Sequence, residues 1–184
     1  DAYIKAIGGT DALEKVKDLT KEYSATVQGM PATMVEYNES PDKYAMEMKM
    51  GGMVLQKLTY DGTRAVSSGM QGDKELIDQD LDDVKKNSYA FPELHYTELQ
   101  HVPVLTGIVE IDGKKAYRVL VKTFDGGSFT EYYDIATGLK VRRSEMQAGD
   151  GGTFQVLTDY SDYRPESGVL FPYTIHQNGG MDIT

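Results

Sequence analysis

The sequence predicts a mainly β fold with helices: an incomplete, unclosed antiparallel β-barrel or strongly curved sheet, with helices covering its concave face. Three observations predict it. Apolar and polar residues alternate over most of the chain, the period of a strand with one buried face. The alternating runs are punctuated by Gly51-Gly52, Asp61-Gly62, Asp112-Gly113 and Asp125-Gly126-Gly127, which are hairpin signals. Two segments switch to a helical period, and an amphipathic helix needs an apolar face to lie on. From about Val102 a parallel sheet is excluded, because its crossovers take a dozen or more residues and the connections there are shorter.

The elements follow in order. Ala2 to Ile7 reads as a short helix, with Gly8 or Gly9 as its left-handed cap. Thr10 or Asp11 then caps a second helix, in which Leu13, Val16 and Leu19 recur at helical spacing. From Lys21 the period is two, through Tyr23, Ala25 and Val27, and a second strand runs to about Asn38. Ser40-Pro41-Asp42-Lys43 is a turn. Next, Tyr44, Met46, Met48 and Met50 point one way, and Lys43, Ala45, Glu47 and Lys49 the other. Met53–Tyr60 returns, and Thr63 to Ser67 follows.

A helix is expected over 73–86, with Asp73 as N-cap and Leu76, Ile77, Leu81 and Val84 on one face. Residues 87–101 read as irregular or weakly helical, anchored by Tyr89, Phe91, Leu94 and Tyr96. From about Val102 the chain reads as strand and turn, including a turn at Gly149-Asp150-Gly151-Gly152. The expectation is one domain over residues 1–184. Its helices lie at about 2–19 and 73–91, and its strands at about 20–68 and 102–184. The final Gly179-Gly180-Met181-Asp182-Ile183-Thr184 reads as the start of a strand cut short. The opening Asp1-Ala2-Tyr3 reads as a mature or excised form.

Composition removes most chemistry. The 184 residues carry 29 acids and 19 bases, a net charge of −10, with no Cys and no Trp. Without Cys there is no disulfide, thiolate nucleophile, Cys-ligated zinc or iron–sulfur site. The acidity argues against a nucleic-acid partner, which needs clustered Lys and Arg. No apolar run reaches the length of a transmembrane helix. The absence of Cys fits an extracytoplasmic compartment.

His95, His101 and His176 have no metallopeptidase spacing and read as surface or partly buried residues. Asp78-x-Asp80-x-Asp82 opens like a calcium loop but lacks its glycine and final glutamate, so it reads as a solvated helix face. The Gly-rich turns match no phosphate-binding pattern. The pairs Asp159 with Asp162 and Glu131 with Asp134 read as ordinary surface charge. No catalytic residue, metal ligand or cofactor is assigned, and the expectation is a protein that is not an enzyme.

Two excesses remain. Met30, Met34, Met46, Met48, Met50 and Met53 fall within 24 residues. Met is flexible and polarizable, and Met-rich surfaces accept varied apolar shapes. Tyr117, Phe129, Tyr133, Phe154, Tyr160, Phe171 and Tyr173 lie on later strands, where they suit a pocket wall or cross-strand core pairs. A core filled with Met in place of Leu is the other reading of the first excess. The candidate apolar cavity is lined by Tyr44, Met46, Met48, Met50, Tyr117, Phe129, Tyr133 and Phe154.

The order of helix, strands, helical insert and strands resembles the LolA/LolB-like superfamily of periplasmic lipoprotein carriers and receptors. Ser40-Pro41-Asp42-Lys43-Tyr44 resembles that superfamily's turn into its third strand, and Tyr60-Asp61-Gly62 the hairpin after it. Tyr133-Asp134-Ile135-Ala136-Thr137-Gly138-Leu139 is similar to its D-x-x-T-G-L hairpin. Ala6-Ile7-Gly8-Gly9 resembles the opening of Bacteroidetes-type members. The resemblance implies an unclosed barrel with a helical lid over an apolar cavity, a periplasmic or outer-membrane-associated location, and a lipid or lipoprotein acyl chain as partner. Some Bacteroidetes-type members extend an insulinase-like zinc peptidase. The resemblance therefore implies a second context, a docking domain covalently attached to a peptidase, with no ligand of its own.

Overall fold

The computed structural model describes residues 2–27, 29–149, 152–177 and 181–183. The chain divides into two compact units: a first of residues 14–92 and 183–184, and a second of residues 1–13 and 93–182. Two short helices open the chain, α1 (Ala2–Ala6) and α2 (Thr10–Leu13). The first unit then builds an antiparallel meander of β1 (Asp18–Val27), β2 (Met30–Glu39), β3 (Lys43–Met50), β4 (Met53–Tyr60), β5 (Ala65–Gly69) and β6 (Gly72–Leu76). Helix α3 (Asp78–Ser88) follows. After a 3-10 turn at Pro92–His95, the second unit builds a second meander. Its strands are β7 (Val102–Ile111), β8 (Lys114–Lys122), β9 (Ser128–Asp134), β10 (Lys140–Gly149), β11 (Gly152–Glu166) and β12 (Val169–Gln177). A short β13 (Met181–Ile183) pairs Ile183 with Ala25.

The fold is mainly β, antiparallel and unclosed, as the sequence predicts. β6 and β7 are edge strands, and both meanders are stitched by the expected turns. At Gly51 and Gly52, φ is +57° and +84°; at Asp112 and Gly113 it is +50° and +76°. Two successive left-handed residues define the hairpin turn whose twist matches its strands. Asp150 and Gly151 of the expected Gly149-to-Gly152 turn lie outside the described residues, as do Gly179, Gly180 and Thr184 of the expected terminal strand.

Two boundaries differ from expectation. The second helix stops at Leu13 and does not reach Leu19, because β1 starts at Asp18 and Leu19 pairs with Asn38. A ten-residue ladder satisfies more backbone groups than two marginal helical turns. Likewise the helix expected from Asp73 begins at Asp78. Residues Gly72–Leu76 form a strand on β5, so the N-cap is Ile77, which has no side-chain capping bond and stays exposed. Leu76 is buried, but from a strand.

Each unit has its own core. In the first, Leu81 and Val84 of α3 pack on Tyr44, Met46, Leu58, Tyr60, Ala65 and Leu76. The exposed face of α3 carries Asp80, Asp82 and Asp83, paired with Lys74, Lys85 and Lys86. In the second, Ile7 and Leu13 are buried, and the Ile7 carbonyl accepts a bond from the Leu170 N–H at 2.9 Å. The Tyr3 ring meets Tyr133 at 5.2 Å. Gly138, at φ +75°, lets α1 approach: an added Cβ would stand 3.2 Å from the Ala2 carbonyl oxygen and the Ala6 Cβ. The Asp134 carboxylate accepts bonds from the Thr137 N–H at 2.7 Å and hydroxyl at 2.9 Å, which explains the Asp-x-x-Thr-Gly spacing of that hairpin.

Candidate functional site

Strand register decides where the methionines go. Alternation sets Tyr44, Met46, Met48 and Met50 on one face of β3. Pairing extends that face sideways. Met48 lies opposite Met34 and Gln56, Met50 opposite Ala32 and Met53, and Met46 opposite Glu36 and Leu58. Met30 shares the parity of Met34 on β2. All six methionines singled out in the sequence therefore occupy one face of one sheet.

That face has a covered end and an open end. At the covered end Tyr44 is buried and Met46 packs on the α3 core. Farther along the strands Met34, Met48 and Met50 are half-buried, Met30 is 42% exposed and Met53 is 70% exposed. The charges interleaved with Met46, Met48 and Met50 point to the opposite face. There Glu47 pairs with Lys49 at 2.5 Å and with Lys57 at 2.8 Å. Hydrogen bonds from these two lysines hold the Glu47 carboxyl at about 2. A groove of about 520 Å³ on the same sheet is lined by Thr20, Tyr37, Ala45, Thr59 and Val66, which register sets opposite the methionines.

One carboxylate lies on the Met face. Glu36 accepts bonds from the Tyr44 hydroxyl at 2.9 Å and the Tyr23 hydroxyl at 3.2 Å, and pairs with Lys21 at 2.9 Å. Burial, and then the Glu36 charge, push the Tyr44 phenol well above its ordinary value. Tyr44 is therefore the floor of this face, with both its ring and its hydroxyl engaged.

The second unit places its four candidate aromatics on one face as well. Tyr117 pairs with Tyr133; Phe129 shares the parity of Tyr133 and pairs with Glu145; Glu145 in turn pairs with Val156, which shares the parity of Phe154. Charged and polar side chains stand among them. Phe129 is buried, with the Arg143 guanidinium 3.9 Å from its ring centroid and His101 edge-on at 5.7 Å. Tyr117 is 37% and Phe154 52% exposed.

Between these aromatics lies a buried ion cluster. Lys140 bonds Glu131 at 2.6 Å and also bonds Glu93. The Tyr96 hydroxyl donates to Glu131 at 2.8 Å, the Tyr133 hydroxyl donates to it too, and the Tyr163 hydroxyl donates to the Lys140 carbonyl at 2.8 Å. The Lys140 ammonium stands 5.3 Å from the Tyr3 ring centroid. Burial pushes the Glu131 carboxyl up, but Lys140 and the tyrosine hydrogen bonds outweigh it and hold it below the usual carboxylate range. Burial lowers Lys140, and Glu93 and Glu131 together raise it well above its ordinary value.

This corrects the reading of Glu131 and Asp134 as surface charge: both are buried. Asp159 is no loose carboxylate either, since Arg142 clasps it. The missed signal was parity. Glu131 alternates with Phe129 and Tyr133, so it had to face the same side as they do.

No family model matches the chain, and no curated protein matches it in sequence. Its fold, however, is that of several solved structures. A DUF1329 family protein from Desulfovibrio piger aligns over 100% of this chain and 87% of its own, at 9% identity and a TM-score of 0.59. A LolA superfamily protein from Nitrosomonas europaea aligns over 96% and 89%, at 11% identity and a TM-score of 0.59. A domain from Vibrio parahaemolyticus, described as an outer membrane lipoprotein-sorting protein domain, aligns over 90% and 80%, at 9% identity and a TM-score of 0.50. The chain thus has a LolA-like fold. No described helix is long and apolar enough to cross a membrane.

Proposed function

We propose that the chain is a non-enzymatic extracytoplasmic module that shelters an apolar ligand, a lipid or a lipoprotein acyl chain, on the methionine face of its first unit. The observation that carries this reading is the half-open row of six methionines on one sheet face, with the interleaved charges turned away. Met48 and Met50 form the contact surface, Met46 and Tyr44 its floor. Of the four candidate aromatics on the second unit, Tyr117 and Phe154 are exposed and available to an apolar ligand, and Phe129 and Tyr133 back them. The LolA-like fold supports the ligand class and the location, as does the similarity to the Vibrio lipoprotein-sorting domain.

The energetics suit a carrier. Burying apolar surface stabilises by about 25 cal/mol per Å², and one acyl chain gives only marginal, reversible binding. Native mass spectrometry of gently purified protein should show a co-purifying lipid. Uptake of a fluorescent fatty acid should be lost in the double variant Met48→Gln, Met50→Gln, with the far-ultraviolet spectrum unchanged. An empty protein that also takes up no fatty acid would sink this reading. It would favour a docking domain instead, a role to which the packing of α3 over Tyr44 and Met46 already lends support.

A further inference from the structure

We propose that Met53 and Met30 are sites of reversible oxidation, at which a peroxide turns the methionine face polar and discharges its apolar ligand. The inference rests on the apolar-ligand reading and names the regulation of that same face. The chain has no Cys, so its oxidisable sulfur is thioether sulfur, and six of its nine methionines lie on this face. Susceptibility follows exposure. Met53 is the most exposed of the six and Met30 the next. Met34, Met48 and Met50 are half-buried, and Met46 packs on the α3 core. The face therefore oxidises from its open end inward.

Position makes these two sulfurs count. Met53 stands directly opposite Met50. Met30 lies diagonal to Met50, two residues along β2 from Ala32, which is opposite Met50 on the other side. Opposed Cβ atoms are about 4.5–5.5 Å apart and diagonal ones about 7–8 Å, within reach of long side chains. An acyl chain lying over Met48 and Met50 therefore covers the ends of both. In the oxidation, the Sδ lone pair attacks one oxygen of hydrogen peroxide. An S–O bond forms, the O–O bond breaks, and the departing hydroxide takes the proton of the transferred hydroxyl and leaves as water. Sulfur loses two electrons and the peroxide gains them. The product is a polar sulfoxide. An acyl chain offers it no hydrogen-bond donor, so covering it desolvates a polar group without compensation. A dithiol reductase reverses the step: two thiols become a disulfide and the oxygen leaves as water. Leucine would make the face as apolar without this response.

The test titrates the whole chain with hydrogen peroxide, maps sulfoxides by peptide mass spectrometry and measures uptake of a fluorescent fatty acid. Sulfoxide should form at Met53 and Met30 before Met48 and Met50. The fatty-acid Kd should then rise about tenfold, with circular dichroism unchanged. Methionine sulfoxide reductases with dithiothreitol should restore it, which separates a switch from damage. Bound fatty acid should slow oxidation of Met53 and Met30. It should not slow that of Met70, in the β5–β6 turn, or Met146, on β10, both exposed. The double variant Met70→Leu, Met146→Leu removes reactive sulfur away from the face. It should keep both its uptake and its response to peroxide. If that variant misfolds, the map of the unaltered chain decides the matter, since loss of uptake should track sulfoxide at Met53 and Met30. The proposal is overturned if sulfoxide at those two residues leaves uptake unchanged, if reduction fails to restore uptake, or if the response vanishes with Met70 and Met146. A chain that takes up no fatty acid before any oxidant is added fails the ligand reading first, and this one with it.

Discussion

At the residue scale, the chain hides charge where its sequence reads as surface. Lys140 is held by Glu131 and Glu93 with almost no exposure. Removing one partner of a buried ion pair leaves an uncompensated charge, a loss of about 3–5 kcal/mol. Lys140→Met should therefore lower the urea unfolding free energy by that order, and the double variant Lys140→Met, Glu131→Gln should recover part of it. The pH dependence has a definite sign. Glu131 is depressed in the folded state, so its contribution is complete above the unfolded value of about 4.3 and is lost as pH falls through the folded one. Lys140 is raised, so its contribution is complete below about 10.4 and is lost as pH rises through the folded value. Urea midpoints across the acid limb should flatten in Glu131→Gln, and an unchanged limb would contradict this assignment. The phenols of Tyr3, Tyr44, Tyr96 and Tyr133 are raised chiefly by burial. They should stay protonated in alkaline solution until the chain unfolds, as a spectrophotometric titration would show.

At the element scale, local periodicity located the strands and turns but not every boundary. Residues Gly72–Leu76 have the composition of a helix start, yet the Gly69–Gly72 hairpin folds them back on β5. Leu76 then meets α3 from the sheet, in a cluster with Tyr44, Tyr60, Ala65 and Val84. Truncating a buried Leu costs about 2–5 kcal/mol. Leu76→Ala should destabilise within that range by urea denaturation, and Ile77→Ala, exposed beside it, by far less. The reverse ranking would restore the helix the sequence suggests. The candidate face on β3 was fully legible, because alternation is a local property. That Met34 and Met53 stand beside Met48 and Met50 was not, because it depends on where two hairpins set the register.

At the scale of the whole molecule, acidity and site are separated. The net charge is −10, yet among the described residues the charges that register sets on the methionine face are few and paired, Glu36 with Lys21 and Lys74 with Asp80. Exposed charges are screened within about 10 Å at 0.1 M salt, whereas apolar contact is not. Fatty-acid affinity should therefore change less than about twofold between low and high salt. A steep salt dependence in a binding titration would point instead to a charged head group as the main determinant.

The sequence by itself determined the antiparallel class, the hairpin positions and the clustering of methionine on alternate residues, because each follows from neighbours along the chain. It also removed thiol chemistry. Only the tertiary structure decided which charges are buried. Glu93, Glu131 and Lys140 come from three separate segments, and no local pattern states that they meet. For the same reason, no local pattern states that the Tyr133 hydroxyl meets a buried carboxylate, that of Glu131. Desolvating a carboxylate is tolerable only with partners at hand, and those partners were supplied by the fold.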